Sequence, residues 1–123
     1  MTTWNNEQID AISSTDEIHI APYDNDGVSI RTPTRIWSVV VDGEVYVRAY
    51  NGPDSRWHQA AMTQHAGRIR AGGFEAEVTF TPVDGEIQDR IDAAYAQKYA
   101  EHTYLPPMVS DRTRGATVRV DPK

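Results

Sequence analysis

The hydrophobic pattern is strongest in residues 35–50, where two alternating apolar runs flank Asp42-Gly43. That dipeptide suits a type I′ turn, because both central residues need positive φ. A two-residue turn sets Val40 opposite Val45, Ser38 opposite Val47 and Ile36 opposite Ala49. Strand side chains alternate faces, so this side is expected to be the core face. The other side then pairs Val39 with Tyr46, Trp37 with Arg48 and Arg35 with Tyr50. Two cations opposite two aromatics predict exposed cation–π pairs, each contributing about 0.5–1 kcal/mol.

Further short alternations recur along the chain. Ile18 and Ile20 alternate about His19, and residues 28–31 are expected to return as the second strand of an opening hairpin. Thr32-Pro33-Thr34 interrupts before the main strand, since proline donates nothing to a ladder. Gly72-Gly73 joins residues 68–71 to residues 74–81 as a second hairpin. There Phe74, Ala76, Val78 and Phe80 share a face with Ile69, while Arg70 meets Glu75 and Arg68 meets Glu77 on a solvated face. Residues 116–120 supply a last strand through Val118 and Val120.

Three stretches carry helical spacing instead. Asn5 and Gln8 form a capping box ahead of Ile9 and Ile12, with Trp4 placed to staple onto Ile9. Asp54 or Ser55 is positioned to cap a helix of about ten residues whose narrow stripe is Trp57, Ala60, Ala61 and Gln64. Residues 86–100 form the third, with Ile87, Ile91, Ala94, Tyr95 and Lys98 along one side. Leu105-Pro106-Pro107-Met108 reads as a rigid connector. The expectation is a mainly β (α+β) fold: one small antiparallel barrel of about six to seven strands over residues 1–123, with two or three helices packed outside.

Composition narrows the function. The net charge of −6 argues against general nucleic-acid binding, which needs a basic surface to neutralise phosphates. There is no cysteine, so disulfides, thiolate nucleophiles and thiolate-bound metals are excluded. No apolar run approaches the roughly 20 residues of a membrane span, and the N-terminus is not signal-like. These features fit a cytoplasmic location. The histidines lack metal-ligand spacing, and no nucleophile elbow, phosphate loop or dinucleotide fingerprint is present, so no metal site or catalytic residue is assigned.

Two groups of residues carry candidate chemistry. Arg48, with Ser55 and Arg56 at a helix start, could supply cations and donors to a phosphate, since helix N-termini favour anions. Trp37, Tyr50 and Trp57 could line a flat ring, and Arg35 completes the face. Separately, Tyr95, Lys98 and Tyr99 form a Y-x-x-K-Y cluster that could present phenol and ammonium to a second pocket.

The runs T-P-T-R-I-W-S-V-V-V-D-G-E-V-Y-V-R-A-Y, S-R-W-H-Q-A and I-D-A-A-Y-A-Q-K-Y resemble the small bacterial family DUF2255. More distantly, the pattern is similar to split-barrel flavin-binding proteins, both pyridoxamine-phosphate oxidase-like enzymes and deazaflavin-dependent nitroreductases. The stretch S-R-W-H-Q-A-A-M-T-Q-H-A-G-R-I-R resembles the nitroreductases' P-x-W-x-x-N-L segment through Trp57, with Ala60-Ala61 where those nitroreductases have Asn-Leu. The resemblance implies a split barrel, a homodimer, and FMN or a deazaflavin as cofactor of an oxidoreductase. The competing expectation is a non-enzymatic module whose same surface binds another small anion or a second subunit.

Overall fold

The computed structural model describes residues 4–24, 26–103 and 105–123. Seven antiparallel strands form one sheet: β1 (Ile18–Pro22), β2 (Thr34–Ile36), β3 (Ser38–Val41), β4 (Glu44–Arg48), β5 (Ala66–Ala71), β6 (Phe74–Pro82) and β7 (Thr117–Pro122). Their spatial order is β2-β1-β5-β6-β7-β4-β3. The two edge strands are consecutive in sequence, separated by Trp37 alone. Chain continuity therefore brings the sheet round into a nearly closed barrel, as the strand pattern predicts.

Inward side chains of the strands build the main core. Ile18, Ile20, Ile36, Val45, Val47, Ile69, Val78, Phe80, Val118 and Val120 are all buried there. Two helices add to it: α1 (Asn6–Ser14) contributes Ile12, and α2 (Arg56–Gln64) contributes Trp57 and Ala61. The α1 capping box forms as expected, Gln8 N–H donating to Asn5 Oδ1 at 2.8 Å and Asn5 N–H to Gln8 Oε1 at 3.1 Å. Trp4 joins the core, its indole N–H donating to the Val120 carbonyl at 2.9 Å.

Both hairpin turns form on the expected residues. Asp42 and Gly43 take φ of 53° and 78°, and Gly72 and Gly73 take 53° and 92°. The registers follow: Val40 pairs Val45, Ser38 pairs Val47 and Val39 pairs Tyr46, while Arg70 pairs Glu75 and Arg68 pairs Glu77.

The structure corrects the sequence reading in four places. Residues 28–31 form no strand of the sheet; a single bridge, Tyr23 to Ile30, remains of the expected opening hairpin, whose Asn25 lies outside the described residues. The expected single strand 35–41 is broken at Trp37, because Ile36 pairs with Ile18 of β1 whereas Ser38 pairs with Val47 of β4. The pairings of Ile36 with Ala49, Trp37 with Arg48 and Arg35 with Tyr50 are therefore not made. The stretch expected to be only a rigid connector, Leu105-Pro106-Pro107-Met108, is itself helical. It forms α4 (Leu105–Met108), and a second short helical turn, α5 (Asp111–Arg114), follows.

The fourth correction concerns the hairpin's outer face. A third helix, α3 (Ile87–Lys98), and α4 cover it, burying Val39, Val41 and Tyr46 with Ile91, Tyr95, Tyr99 and Met108 in a second core. Both faces of this hairpin are interior. Continuous apolar runs such as Val39-Val40-Val41 are what a strand buried on both faces carries.

Candidate functional site

The barrel opens where its two end ladders part company. β2 turns away to pair with β1, and β4 continues from Arg48 towards β7, with Ala49 N–H donating to the Ala116 carbonyl at 3.3 Å. A cavity of about 320 Å³ occupies this seam. Thr34, Arg35, Ile36 and Trp37 form one wall and Arg48, Tyr50 and Asn51 the other. Ser55 and Trp57 enter from the start of α2, with Glu17 and Met108 completing the lining. Six of the seven residues expected at a ligand site (Arg35, Trp37, Arg48, Tyr50, Ser55 and Trp57) thus meet around one space. Arg56 does not line it. It lies in an adjoining groove of about 370 Å³ with Arg31, and Thr34 and Trp57 belong to both walls.

The cavity's cations are not equally available. Arg48 is fully buried and gives all five guanidinium N–H groups to the protein. Nε donates to Thr117 Oγ1 at 3.0 Å. Nη1 donates to Asp92 Oδ1 and to the Met108 carbonyl. Nη2 donates to the Gln88 carbonyl at 3.3 Å and to Gln88 Oε1 at 2.7 Å. Asp92 turns its second oxygen to Arg114, at 2.7 Å, and Gln88 donates onward to the Val83 and Arg114 carbonyls. Arg48 also stands 5.4 Å from the Tyr95 ring centroid. The arginine expected to reach a phosphate is instead the hub joining β4, β7, α3 and α4, and its flank is what forms cavity wall. Arg35 is exposed and pairs with Glu17 at 3.3 Å.

The aromatic residues are built in with different degrees of freedom. Trp37 stacks on Tyr99, ring centroids 4.0 Å apart and planes 4° apart, so one indole face is taken. Trp57 is only 7% exposed and serves both core and cavity. Tyr50 is 42% exposed and sits at the mouth, with the Arg112 guanidinium 5.5 Å from its centroid. Ser55 is the N-cap of α2, yet its side chain makes no capping bond, and its Oγ is buried without a hydrogen-bond partner.

The Y-x-x-K-Y cluster is a clamp rather than an open pocket. Tyr95 and Tyr99 are fully buried. The Tyr99 hydroxyl accepts from Ser38 N–H at 3.2 Å and donates to the Asp16 carbonyl. Lys98 Nζ donates to the Ser38 carbonyl at 2.8 Å and to the Ile12 carbonyl at 3.2 Å. The end of α3 is thereby tied to β3 and to the end of α1.

Burial lowers the Lys98 pKa to about 8, against a smaller opposing effect of Asp16. Lys98 is protonated in both folded and unfolded chains below about pH 8, so its burial cost is fully present there. Between about pH 8 and 10 the unfolded chain binds the proton that the folded chain has released. Stability therefore gains a rising contribution with pH in that window. Burial raises the pKa of Tyr95 and Tyr99, which offsets this only above about pH 10. Urea unfolding of the protein and of Lys98→Met across pH 7–10 should show that rise in the former and not in the latter; equal slopes would contradict it.

Sequence reasoning missed Gln88, Asp92, Thr117, Met108 and Arg112. A signal existed for the first two: Gln88, Ile91, Asp92 and Tyr95 share one helix face, and two polar residues on an apolar stripe imply a buried polar partner. His58 was likewise not foreseen. It is buried, its Nδ1 lies 3.3 Å from the Pro53 carbonyl, and burial lowers its pKa. Among the described residues no group of three or more His, Asp or Glu is placed to hold a metal ion, and no helix is long and apolar enough to cross a membrane.

Comparison with solved structures finds a conserved hypothetical protein from Mycobacterium tuberculosis (Rv2991), 18% identical, with a TM-score of 0.60. The match covers 98% of this chain and 80% of that one, and at this identity it supports the fold alone. Comparison with curated proteins finds no match. The family model described as "Uncharacterized protein conserved in bacteria (DUF2255)" matches residues 8–120. With nearly its whole length matched, the chain belongs to the DUF2255 family of proteins conserved in bacteria.

Proposed function

We propose that the protein binds a small planar ligand carrying a phosphate, of flavin or deazaflavin type, in the seam cavity, and acts as an oxidoreductase through it. The observation that carries this reading is the convergence of Arg35, Trp37, Tyr50, Ser55 and Trp57, from separate segments, on one space at the opening of the barrel. Clefts of about 300–1,000 Å³ with apolar walls and a few polar groups are the usual form of ligand sites.

The residues present fit a phosphate at the start of α2 better than at Arg48. Ser55 Oγ is a buried hydroxyl without a partner, and helix N-termini offer amide donors to anions. Arg56 follows it and has no carboxylate within ion-pair distance among the described residues. Trp37 and Trp57 would hold the ring, Arg35 and Tyr50 would flank it, and Ser55 and Arg56 would take the phosphate. A bound flavin would supply the electron or hydride transfer, with the protein providing position and electrostatics.

A second reading has its own support. The cavity's volume is at the low end for ligand sites, and both lining arginines already have partners. These points favour a non-enzymatic module that takes a smaller anion or meets a second copy of the chain, with Tyr50 at the contact. Titration with FMN and with reduced deazaflavin, followed by tryptophan fluorescence, separates the two readings. Saturable quenching at micromolar ligand is expected under the first. No binding of either compound at high micromolar concentration would leave the second.

A further inference from the structure

The chain has ten arginines against eighteen acidic residues, so an arginine without a carboxylate is the exception. Eight are ion-paired: Arg31 with Asp24, Arg35 with Glu17, Arg48 with Asp92, Arg68 and Arg70 with Glu75, Arg90 with Asp42, Arg114 with Asp89 and Asp92, and Arg119 with Asp121. Among the described residues the two without such a pair are Arg56 and Arg112. They come from α2 and α5, far apart in sequence, and each lies beside a residue that lines the seam cavity. Arg56 lies in the groove that shares Thr34 and Trp57 with the cavity, and Arg112 lies over Tyr50 at its mouth.

The backbone is shaped to let Arg112 reach that position. Gly52 takes φ of 81°, and a Cβ there would stand 2.5 Å from Arg112 Cγ. The arginine side chain therefore crosses over Gly52 to reach the ring of Tyr50. Contact with an aromatic face engages the guanidinium's π surface and not its N–H fork, and that fork matches phosphate and carboxylate geometry.

We infer that Arg112 is an anion-recognising residue of the seam site, gripping the phosphate or carboxylate of the ligand from beside Tyr50. This rests on the seam cavity being a ligand site, and it adds that the ligand's charged group is held by two arginines that the fold leaves unpaired. Anions of one shared chemistry, a free phosphate or the phosphate of an aromatic ligand, satisfy it.

The test uses three probes on the intact chain: FMN, riboflavin, which has the same ring without the phosphate, and inorganic pyrophosphate. Arg112→Ala is expected to weaken FMN binding at least about ten-fold and to leave riboflavin unchanged, the loss of a charge-assisted hydrogen bond. Arg112→Lys should restore part of it, because an ammonium lacks the bidentate fork. Gly52→Ala, which displaces Arg112 without removing it, should mimic Arg112→Ala if it remains folded by circular dichroism. If neither flavin binds but pyrophosphate does, and Arg112→Ala abolishes that binding, the flavin reading fails while the role of Arg112 stands. The inference is overturned if Arg112→Ala binds FMN or pyrophosphate like the unmodified protein, weakens FMN and riboflavin equally, or if none of the three probes binds.

Discussion

Arg48→Ala is expected to destabilise the fold by about 3–5 kcal/mol, the range for removing one partner of a buried ion pair. The side chain is completely buried, and its loss takes a donor from acceptors on three elements at once: Gln88 Oε1 and one Asp92 oxygen on α3, the Met108 carbonyl on α4 and Thr117 Oγ1 on β7. Arg48→Lys should recover little, because an ammonium cannot direct five donors in a planar fork. Asp92→Asn should cost less, since the amide oxygen can still accept from one arginine. Urea midpoints of the three variants give the ranking directly. A midpoint for Arg48→Ala close to that of the unmodified protein would show that the buried network does not hold α3 and α4 to the barrel. A guanidinium with every donor engaged inside the fold has none left for a phosphate, so its loss should register in stability before it registers in binding.

Trp57→Ala is expected to cost a similar amount, about 3–5 kcal/mol, for a different reason. The indole is 7% exposed and packs with Ala61 against the barrel core, so truncation leaves a cavity that the rigid strands cannot fill. The same ring forms a wall shared by the seam cavity and the groove that holds Arg56. Trp57→Phe separates the two roles. It should lose far less stability while joining the two spaces more openly, so its thermal midpoint and its FMN affinity should move independently. If Trp57→Ala were nearly as stable as the parent, α2 would not be anchored through this residue.

A structural feature is legible in the sequence where the signal for it is local. The Asp42-Gly43 and Gly72-Gly73 turns were legible because a two-residue loop dictates its own φ values and hence the register beside it. The Asn5 capping box was legible for the same reason, as both partners lie within one turn. Trp37 was not. Whether strand 35–41 runs straight or breaks depends on which neighbour each half finds, and β1 and β4 claim Ile36 and Ser38 separately. That competition between distant strands opens the seam, and no local pattern records it.

The fate of Arg48 follows from the same distinction. Alternation put it on the face away from the core, which was correct for β4. What covers that face is α3, some forty residues later, together with the short α4 that the Leu105-Pro106-Pro107-Met108 run did not announce. The resulting environment converts an expected surface cation into a structural hub. Conversely, the grouping of Arg35, Trp37, Tyr50, Ser55 and Trp57 was anticipated from residue type and adjacency, and the structure gathers them although the cross-strand pairs that motivated the grouping never form. Arg112 lay beyond reach, because its contact with Tyr50 depends on the turn at Gly52 and on a helical turn sixty residues downstream.

The proposed ligand site is the seam between β2 and β4. Titration of isotopically labelled protein with FMN, followed by amide chemical shifts, tests that assignment most directly. The expected result is a saturable set of changes confined to residues 34–37, 50–51, 55–57 and 112, with the outer face of β5 and β6 unmoved. Shifts centred elsewhere, or none at all up to millimolar FMN, would contradict it.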